Sequence, residues 1–178
     1  MLEVGVVHGK SPDDYFATYK AGLCRDSSNT RALGDPSRVV DHRSGGYPQG
    51  VQQVWKPRPG VVQGIGVFGI ATLNDRSTGL FRATCEAGAS WRGIAASRGD
   101  DILSLGRVRL NVQDGLRHFQ AAGAKPVQQD EKMVELNYGV QATPWLLIRP
   151  TVQYVIRPGA YGSRPDTSVF VLHAQETL

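Results

Sequence analysis

The sequence predicts an all-β fold, built from short antiparallel strands that form a barrel. Several segments alternate between apolar and polar side chains, which is the period of a β-strand with two different faces. The 21 glycines and 10 prolines are spread along the 178 residues, a distribution that suits many strands joined by turns better than a helical bundle. No apolar run approaches the roughly 18 residues that a membrane-spanning helix needs.

The clearest strand pair lies in the C-terminal third. Between Lys132 and Ala142 the even positions after Lys132 are apolar, and the odd positions are mainly polar. After a break at Thr143-Pro144, the run from Leu146 to Ile156 alternates again, with Arg149, Thr151 and Gln153 on its polar side. The short break predicts a tight hairpin. Pro150 cannot donate to the ladder, so a bulge or a locally missing bond is expected there.

Earlier segments repeat the alternation less clearly. Phe81 to Trp91 places apolar residues at its odd positions, and Ile102 to Val112 places Val108, Leu110 and Val112 opposite Arg107, Arg109 and Asn111. Val61 to Leu73 is Gly-rich, and its pattern indicates a strand even though Gly64 to Gly69 nearly matches a dinucleotide-binding motif. Further strands are expected at Tyr15 to Leu23, Tyr47 to Lys56 and Thr167 to the end. The total is eight or nine.

Polar, Gly- and Pro-containing loops separate the strands, and no domain boundary interrupts residues 1–178. The longest predicted loops are Arg25 to Gly46, Gln113 to Glu131 and Arg157 to Asp166, whereas Thr143-Pro144 and Asn74 to Thr78 are short. A mixture of short turns and long loops is typical of a barrel with one turn side and one loop side.

Alternation alone leaves the environment of each face open. A soluble eight-stranded barrel of the lipocalin kind buries its apolar face around a small apolar ligand. A membrane barrel turns that face to lipid and lines a lumen with the polar one. Long polar side chains on the polar faces favour a wide aqueous lumen, and aromatic residues near strand ends favour interfacial girdles: Trp91, Trp145, Tyr154 and Tyr161.

The segment EKMVELNYGVQATPWLLIRPTVQYVIRPG, from Glu131 to Gly159, resembles the penultimate hairpin of carbohydrate-selective porins of the OprB family. Members of that family have a VELTY-type strand, a turn ending in PW, and an LRPDLQY-type strand that runs into a PGG loop, which also explains Pro150. Upstream, GIGVFGIATLNDR, SWRGIAASRGDDILSLG, TYKAGLCRDSS and GVQQVWKPRPG resemble further family strands in the family's order. The resemblance covers nearly the whole chain.

The resemblance implies that residues 1–178 are the C-terminal part of a single transmembrane porin barrel of roughly 16 strands, of which this chain supplies about eight or nine. It implies passive diffusion of small sugars through the outer membrane of a Gram-negative bacterium, contact with outer-membrane lipid, and a homo-oligomer as in other porins. Five features depart from the family. The chain has about half its length, it contains two cysteines, and it ends in Gln175-Glu176-Thr177-Leu178 without a terminal Phe. Gln52 stands where an acidic residue is usual, and His173 where Gly is common. A fragment or a truncated product is therefore expected.

Sugar hydroxyls call for hydrogen-bonding and charged side chains around a constriction. The channel-lining residues expected from the hairpin are Arg149, Gln153, Glu135 and Asn137, followed upstream by Arg82, Glu86, Arg107 and Arg109. The alternative is that these residues merely solvate the wall, with selectivity set by an inward loop and by the rest of the barrel.

Other classes of function have little support in the sequence. The net charge is +4 with a pI near 9.3, but the arginines are dispersed and not clustered with aromatics, so no nucleic-acid partner is expected. His8, His42, His118 and His173 have no metal spacing, and Cys24 and Cys85 are far apart. No signal peptide is visible at the start. We expect neither an enzyme nor a cofactor.

Overall fold

The computed structural model describes residues 1–9, 11 and 13–176, and β-strands account for most of them. In chain order the elements are β1 (Leu2–His8), β2 (Ala17–Asp26), β3 (Thr30–Ala32), β4 (Asp35–Val40), β5 (Arg43–Trp55), β6 (Gly64–Asn74), β7 (Phe81–Arg92), β8 (Ile102–Val112), α1 (Asp114–Ala122), β9 (Glu131–Thr143), β10 (Leu146–Ile156), a short 3-10 helix (Pro158–Ala160) and β11 (Thr167–Glu176). Within the described ranges, no helix is long and apolar enough to cross a membrane.

Nine strands form one antiparallel sheet in the order β1-β2-β5-β6-β7-β8-β9-β10-β11. Strands β3 and β4 pair with each other in the connection between β2 and β5. The predicted all-β antiparallel fold is confirmed, and the sheet does not close into a barrel within this chain. The sequence patterns did not predict β1, the β3–β4 hairpin or α1. The final predicted strand extends to the chain end, and its last two residues lie outside the described part.

The connections emerge alternately at two ends of the sheet. We call one end the turn end, where residues 9–16, 56–63, 93–101 and 144–145 connect the strands. The other is the loop end, which carries residues 27–42, 75–80, 113–130 and 157–166. The β3–β4 hairpin and α1 both lie at the loop end, so the longer connections gather there, as they do on one side of a membrane barrel.

The predicted hairpin between β9 and β10 is present, with Pro144 and Trp145 as its two turn residues. Cross-strand partners keep one register on either side of Pro150, from Ile148 with Val140 to Thr151 with Asn137. The ladder therefore accommodates the proline by a locally missing bond, which is the second of the two arrangements expected from the sequence.

The register separates two faces of the sheet. Leu105, Leu136, Val152 and Phe170 are successive cross-strand partners, and their exposed fractions are 53%, 48%, 42% and 77%. We call the face that carries them the apolar face. The polar face, on the opposite side, carries Glu135 and its cross-strand partner Gln153, together with Asn137. The lipocalin-like alternative predicts a buried apolar face, because a soluble barrel turns that face inwards. The observed exposure is the opposite.

Packed apolar side chains gather at the loop end. Val112 is completely buried beside Leu116 of α1 and Ala160, with Leu33 and Phe81 packed against them. The four loop-end connections are also joined by hydrogen bonds, including Leu33 N to Ser77 O at 2.7 Å and Gln129 N to Ala160 O at 2.6 Å. This loop-end cluster is defined here by Leu33, Phe81, Val112, Leu116 and Ala160.

The two cysteines lie on different faces. Cys24 pairs in register with Gly45 on the polar face, whereas Cys85 pairs with Ala71 on the apolar face. Both are exposed free thiols. Their strands, β2 and β7, are separated by β5 and β6 in the sheet, so no disulfide joins them.

Candidate channel wall

Three of the predicted lining residues meet on the polar face of β9 and β10. Gln153 Nε2 donates a hydrogen bond of 2.6 Å to Glu135 Oε2, and Asn137 Nδ2 donates one of 3.0 Å to Glu135 Oε1. Glu135 and Gln153 are directly opposite in register, which explains their short contact. The neighbouring pair on this face is Asn137 with Thr151. Two-residue alternation on both strands therefore brings the carboxylate and the two amides together.

Arg149, the fourth residue predicted in this hairpin, lies in β10 on the same face as Thr151 and Gln153. Its cross-strand partner on β11 is His173, and its side chain is partly buried. It lies nearer the turn end than the carboxylate–amide group. The hairpin thus presents positive and negative charge at different heights of one polar surface.

The predicted residues of β7 occupy two different settings. Glu86 lies on the polar face, with Ile70 and Val108 as its cross-strand partners, and it is partly buried. Arg82 lies at the loop end, where the register between β7 and β8 shifts, and its Nη1 donates a hydrogen bond of 3.0 Å to Asp114 Oδ2 of α1. Arg82 is therefore engaged with a loop-end connection.

Arg107 and Arg109 require a correction. Arg107 is the cross-strand partner of Val134 and Ala87, and Arg109 is the partner of Lys132 and Cys85. These partners share the apolar face with Leu105 and Leu136. The prediction that the two arginines share a face with Glu135 and Asn137 is therefore wrong, and Val108 and Leu110 occupy the polar face in their place.

The loop end contains a carboxylate that sequence reasoning did not single out. Asp130 is mostly buried and accepts hydrogen bonds from Arg109 Nη2 at 2.7 Å, from the Val112 backbone N–H at 3.2 Å, and from Arg117 of α1. Burial by itself would raise the pKa of Asp130, but these donors and the arginine charges outweigh it and lower the pKa. Asp130 therefore anchors α1 to the ends of β8 and β9.

A second buried carboxylate holds the turn end. Asp101 is 2% exposed and accepts two hydrogen bonds from Arg98, at 2.8 and 3.1 Å. It also accepts a 2.6 Å bond from the Tyr138 hydroxyl and a 3.0 Å bond from the Gln141 backbone N–H of β9. The Arg98 hydrogen bonds lower the pKa of Asp101 in spite of its burial. In the sequence, the only sign of this site is that Asp101 lies three residues after Arg98 and directly before a strand.

Aromatic rings cover glycines on the polar face. A Cβ placed on Gly22 would lie 2.5 Å from Cε1 of Tyr47, and one on Gly88 would overlap the ring of Phe68. Glycine at these positions lets the rings lie close to the backbone of the neighbouring strand. A cavity of about 510 Å³ adjoins this face towards the turn end, lined partly by Gln53, Ser90 and Arg92. In the described ranges, no group of three or more acidic, His or Cys side chains could hold a metal.

Comparisons with known proteins identify relatives of this arrangement. The sequence model of the family described as "Carbohydrate-selective porin, OprB family" matches residues 8–178. Porin B of Pseudomonas aeruginosa is 28% identical over 165 residues, covering 82% of this chain and 36% of that protein. Putative porin QuiX of Acinetobacter baylyi is 26% identical over 166 residues, covering 85% of this chain and 38% of that protein.

The fold has counterparts among solved structures. The high-pH structure of Pseudomonas putida OprB matches with a TM-score of 0.90 and 22% identity, covering 98% of this chain and 47% of that one. The low-pH structure of the same porin matches with a TM-score of 0.56 and 18% identity. The chain thus spans less than two fifths of the length of the curated relatives and about half of the solved porin.

Proposed function

This chain belongs to the carbohydrate-selective porins of the OprB family, and on that premise we propose that its polar face forms part of a channel for small sugars. The family places the chain in the outer membrane of a Gram-negative bacterium. The observation that carries the proposal is the carboxylate–amide group of Glu135, Asn137 and Gln153 on the face opposite the exposed apolar one. The transport proposed is passive and includes no catalytic step.

The chemistry of this group suits a sugar in transit. An ionised carboxylate offers about four lone-pair sites, and the two amides occupy two of them in Glu135. Sugar hydroxyls can donate to the remaining sites and to amide oxygens, and can accept from Arg149. Conduction requires contacts that are favourable enough for entry and weak enough for release, which partly buried hydrogen-bonding groups beside a wide aqueous lumen provide.

Because this chain spans about half of the solved porin, a complete lumen requires further strands. The contribution proposed for this chain is therefore a wall segment, and the constriction includes whatever packs against the polar face. Small carbohydrates are the permeants, and outer-membrane lipid covers the apolar face. A homo-oligomer of complete barrels, as expected from the resemblance, remains a proposal about the assembled porin.

A pair of matched glutamines tests the proposal. Gln153 lies on the polar face beside Glu135, whereas Gln52 lies on the apolar face, where it accepts a 2.6 Å hydrogen bond from the Tyr19 hydroxyl. The chain is folded into proteoliposomes, alone and together with the unmatched remainder of Pseudomonas putida OprB. Sugar entry is followed by liposome swelling. We expect Glu135→Gln and Gln153→Ala to change the relative rates for different sugars about two- to fivefold, and Gln52→Ala to leave them unchanged.

Two outcomes would contradict the proposal. One is the absence of sugar flux above empty vesicles in both preparations, although gel mobility shows folded β-structure. The other is an equal change in sugar preference for Gln153→Ala and Gln52→Ala, because the two faces would then contribute alike.

A further inference from the structure

Three basic side chains lie together on the apolar face, between the middle of β8 and the loop end: Arg107, Arg109 and Lys132, called the basic triad here. We propose that the basic triad binds a phosphate group of an anionic glycolipid in the outer leaflet of the membrane. The inference rests on the proposed function, since only a membrane barrel turns this face towards lipid.

The register brings the triad into one patch. Arg109 and Lys132 are direct cross-strand partners on β8 and β9, and Arg107 follows on the same face of β8, two residues nearer the turn end. Direct partners have Cβ atoms about 5 Å apart, and like charges in that position repel each other. An anion held between the two side chains removes this repulsion, so the pair is better suited to a bound phosphate than to an empty surface.

The local charge balance is positive. Asp130 is the carboxylate that contacts Arg109, and it is shared with Arg117 of α1. Across the residues that the structure describes, no ion pair involves Arg107 or Lys132. Arg107 is exposed, and the Arg109 side chain keeps half of its surface exposed. Arg117 also pairs with Asp114, so two carboxylates oppose these four basic groups. Arg107 and Lys132 are therefore left to attract an anion.

The surroundings of the triad indicate a lipid as the source of the phosphate. Val134 is the direct cross-strand partner of Arg107, and Leu105 and Leu136 form the next pair towards the turn end; all three are exposed on the apolar face. Acyl chains can cover these residues while the phosphates reach Arg109 and Lys132, the members of the triad nearest the loop end, with Arg107 below them. Guanidinium groups bind phosphate in a bidentate manner, and long basic side chains extend towards the membrane interface. Long loops mark the extracellular end of membrane barrels, so the lipid lies in the outer leaflet.

Charge reversal of two triad residues tests the site without breaking the ion pair between Arg109 and Asp130. The variant Arg107→Glu with Lys132→Glu leaves the Arg109–Asp130 ion pair intact. The matched control, Arg43→Glu with Arg92→Glu, makes the same change of net charge on the polar face, where these arginines pair with Asp26 and Asp100. The chain, assembled in detergent micelles with the unmatched remainder of Pseudomonas putida OprB, is titrated with bisphosphorylated lipid A, with its dephosphorylated form and with inorganic phosphate, and retained lipid is counted by native mass spectrometry.

We expect the parent chain to retain the phosphorylated lipid at least tenfold more tightly than the dephosphorylated form, and the triad variant to lose this preference while the polar-face control keeps it. Equal retention of the two lipids, or equal losses in both variants, would overturn the site. Inorganic phosphate binding as tightly as the lipid would also overturn the assignment to a lipid. Because retention is measured without sugar flux, failure of this site and failure of the channel are separate results.

Discussion

Asp101 shows how one buried carboxylate fixes a connection to a strand. Its partners come from its own connection, through Arg98, and from β9, through Tyr138 and Gln141. A carboxylate with so little exposure depends on such donors, because an unpaired buried charge is costly. The residue therefore joins the 93–101 connection to β9 by charge-assisted hydrogen bonds, which are stronger than neutral ones.

The first prediction at the residue scale concerns pH and Asp101. Because its pKa is lower when folded than when unfolded, its contribution to stability is complete above the unfolded value near 4 and is lost as the pH falls through the folded value. Asp101→Asn should cost on the order of 2 kcal/mol at neutral pH and flatten this acid-side dependence. Urea unfolding, followed between pH 3 and 7, measures both effects.

The neighbouring Asp100 provides the control for that experiment. Its side chain is largely exposed and pairs with Arg92 at the surface, at 3.0 Å. Asp100→Asn should therefore change stability little at any pH. A similar acid-side slope in Asp101→Asn and in the parent chain would show that Asp101 is not the source of the dependence.

At the scale of elements, helix α1 helps to explain why the sequence alternation predicts the wrong face for Arg107 and Arg109 of β8. Residues on the polar face are usually polar because they meet water, but near the loop end that face is covered. Val112 is fully buried beneath Leu116, and Val108 and Leu110 precede it on the same face of the strand. The polar face of β8 therefore ends at a covered apolar residue, Val112, while Arg107 and Arg109 lie on the apolar face. The alternation in the sequence correctly separates the arginines of β8 from its valines and leucine. It cannot show that α1, which belongs to the connection after the strand, covers Val112 on one of the two faces.

The β9–β10 hairpin was predictable for the opposite reason. Both of its strands alternate cleanly, because Glu135, Asn137 and Gln153 face one environment while Leu136 and Val152 face the other. Strand β1 has Gly5 on its polar face and only seven residues, so its alternation is weak. Helix α1 has nine residues in a polar stretch, and its buried positions, Leu116 and Gln120, include only one apolar residue.

The prediction at this scale concerns the loop-end cluster. Leu116→Ala should remove a buried side chain, release α1 from Val112 and destabilise the connection by about 2 kcal/mol. Hydrogen exchange of the Arg117 and Gly123 amides, which bond within and after the helix, should quicken accordingly. The exposed Leu73 of β6 supplies the control, because Leu73→Ala removes an equal side chain without opening a packed cluster. Equal acceleration in both variants would contradict the role of the cluster.

For the whole molecule, the number of strands in the sheet limits what can complete it. Nine successive antiparallel strands leave β1 and β11 as edges that run in the same direction. A second copy in the same orientation would have to pair β11 with β1 in parallel. Antiparallel pairing would require that copy to be inverted, with its loop end on the opposite side of the membrane. An odd number of further strands can close the barrel without either arrangement.

The prediction at this scale is a difference between two assemblies. Mixed with the unmatched remainder of the solved porin, the chain should give a heat-resistant 1:1 complex by native mass spectrometry. Alone, it should give no closed dimer, because unpaired edges cannot be satisfied in lipid. A stable, heat-modifiable homodimer with sugar flux would contradict the parity argument, whereas absence of the 1:1 complex would show that the remainder does not supply compatible edges.

The placement of the two cysteines on opposite faces determines which oxidants can reach each thiol. In the proposed channel, Cys24 on the polar face would meet the aqueous lumen, where water-borne oxidants and disulfide-forming thiols reach it, while Cys85 on the apolar face would be surrounded by acyl chains. The two thiols should therefore be oxidised by different classes of oxidant. Small polar oxidants in the lumen would oxidise Cys24, and lipid-derived peroxides would oxidise Cys85. The oxidation state of the two thiols would therefore report separately on oxidants in water and in lipid.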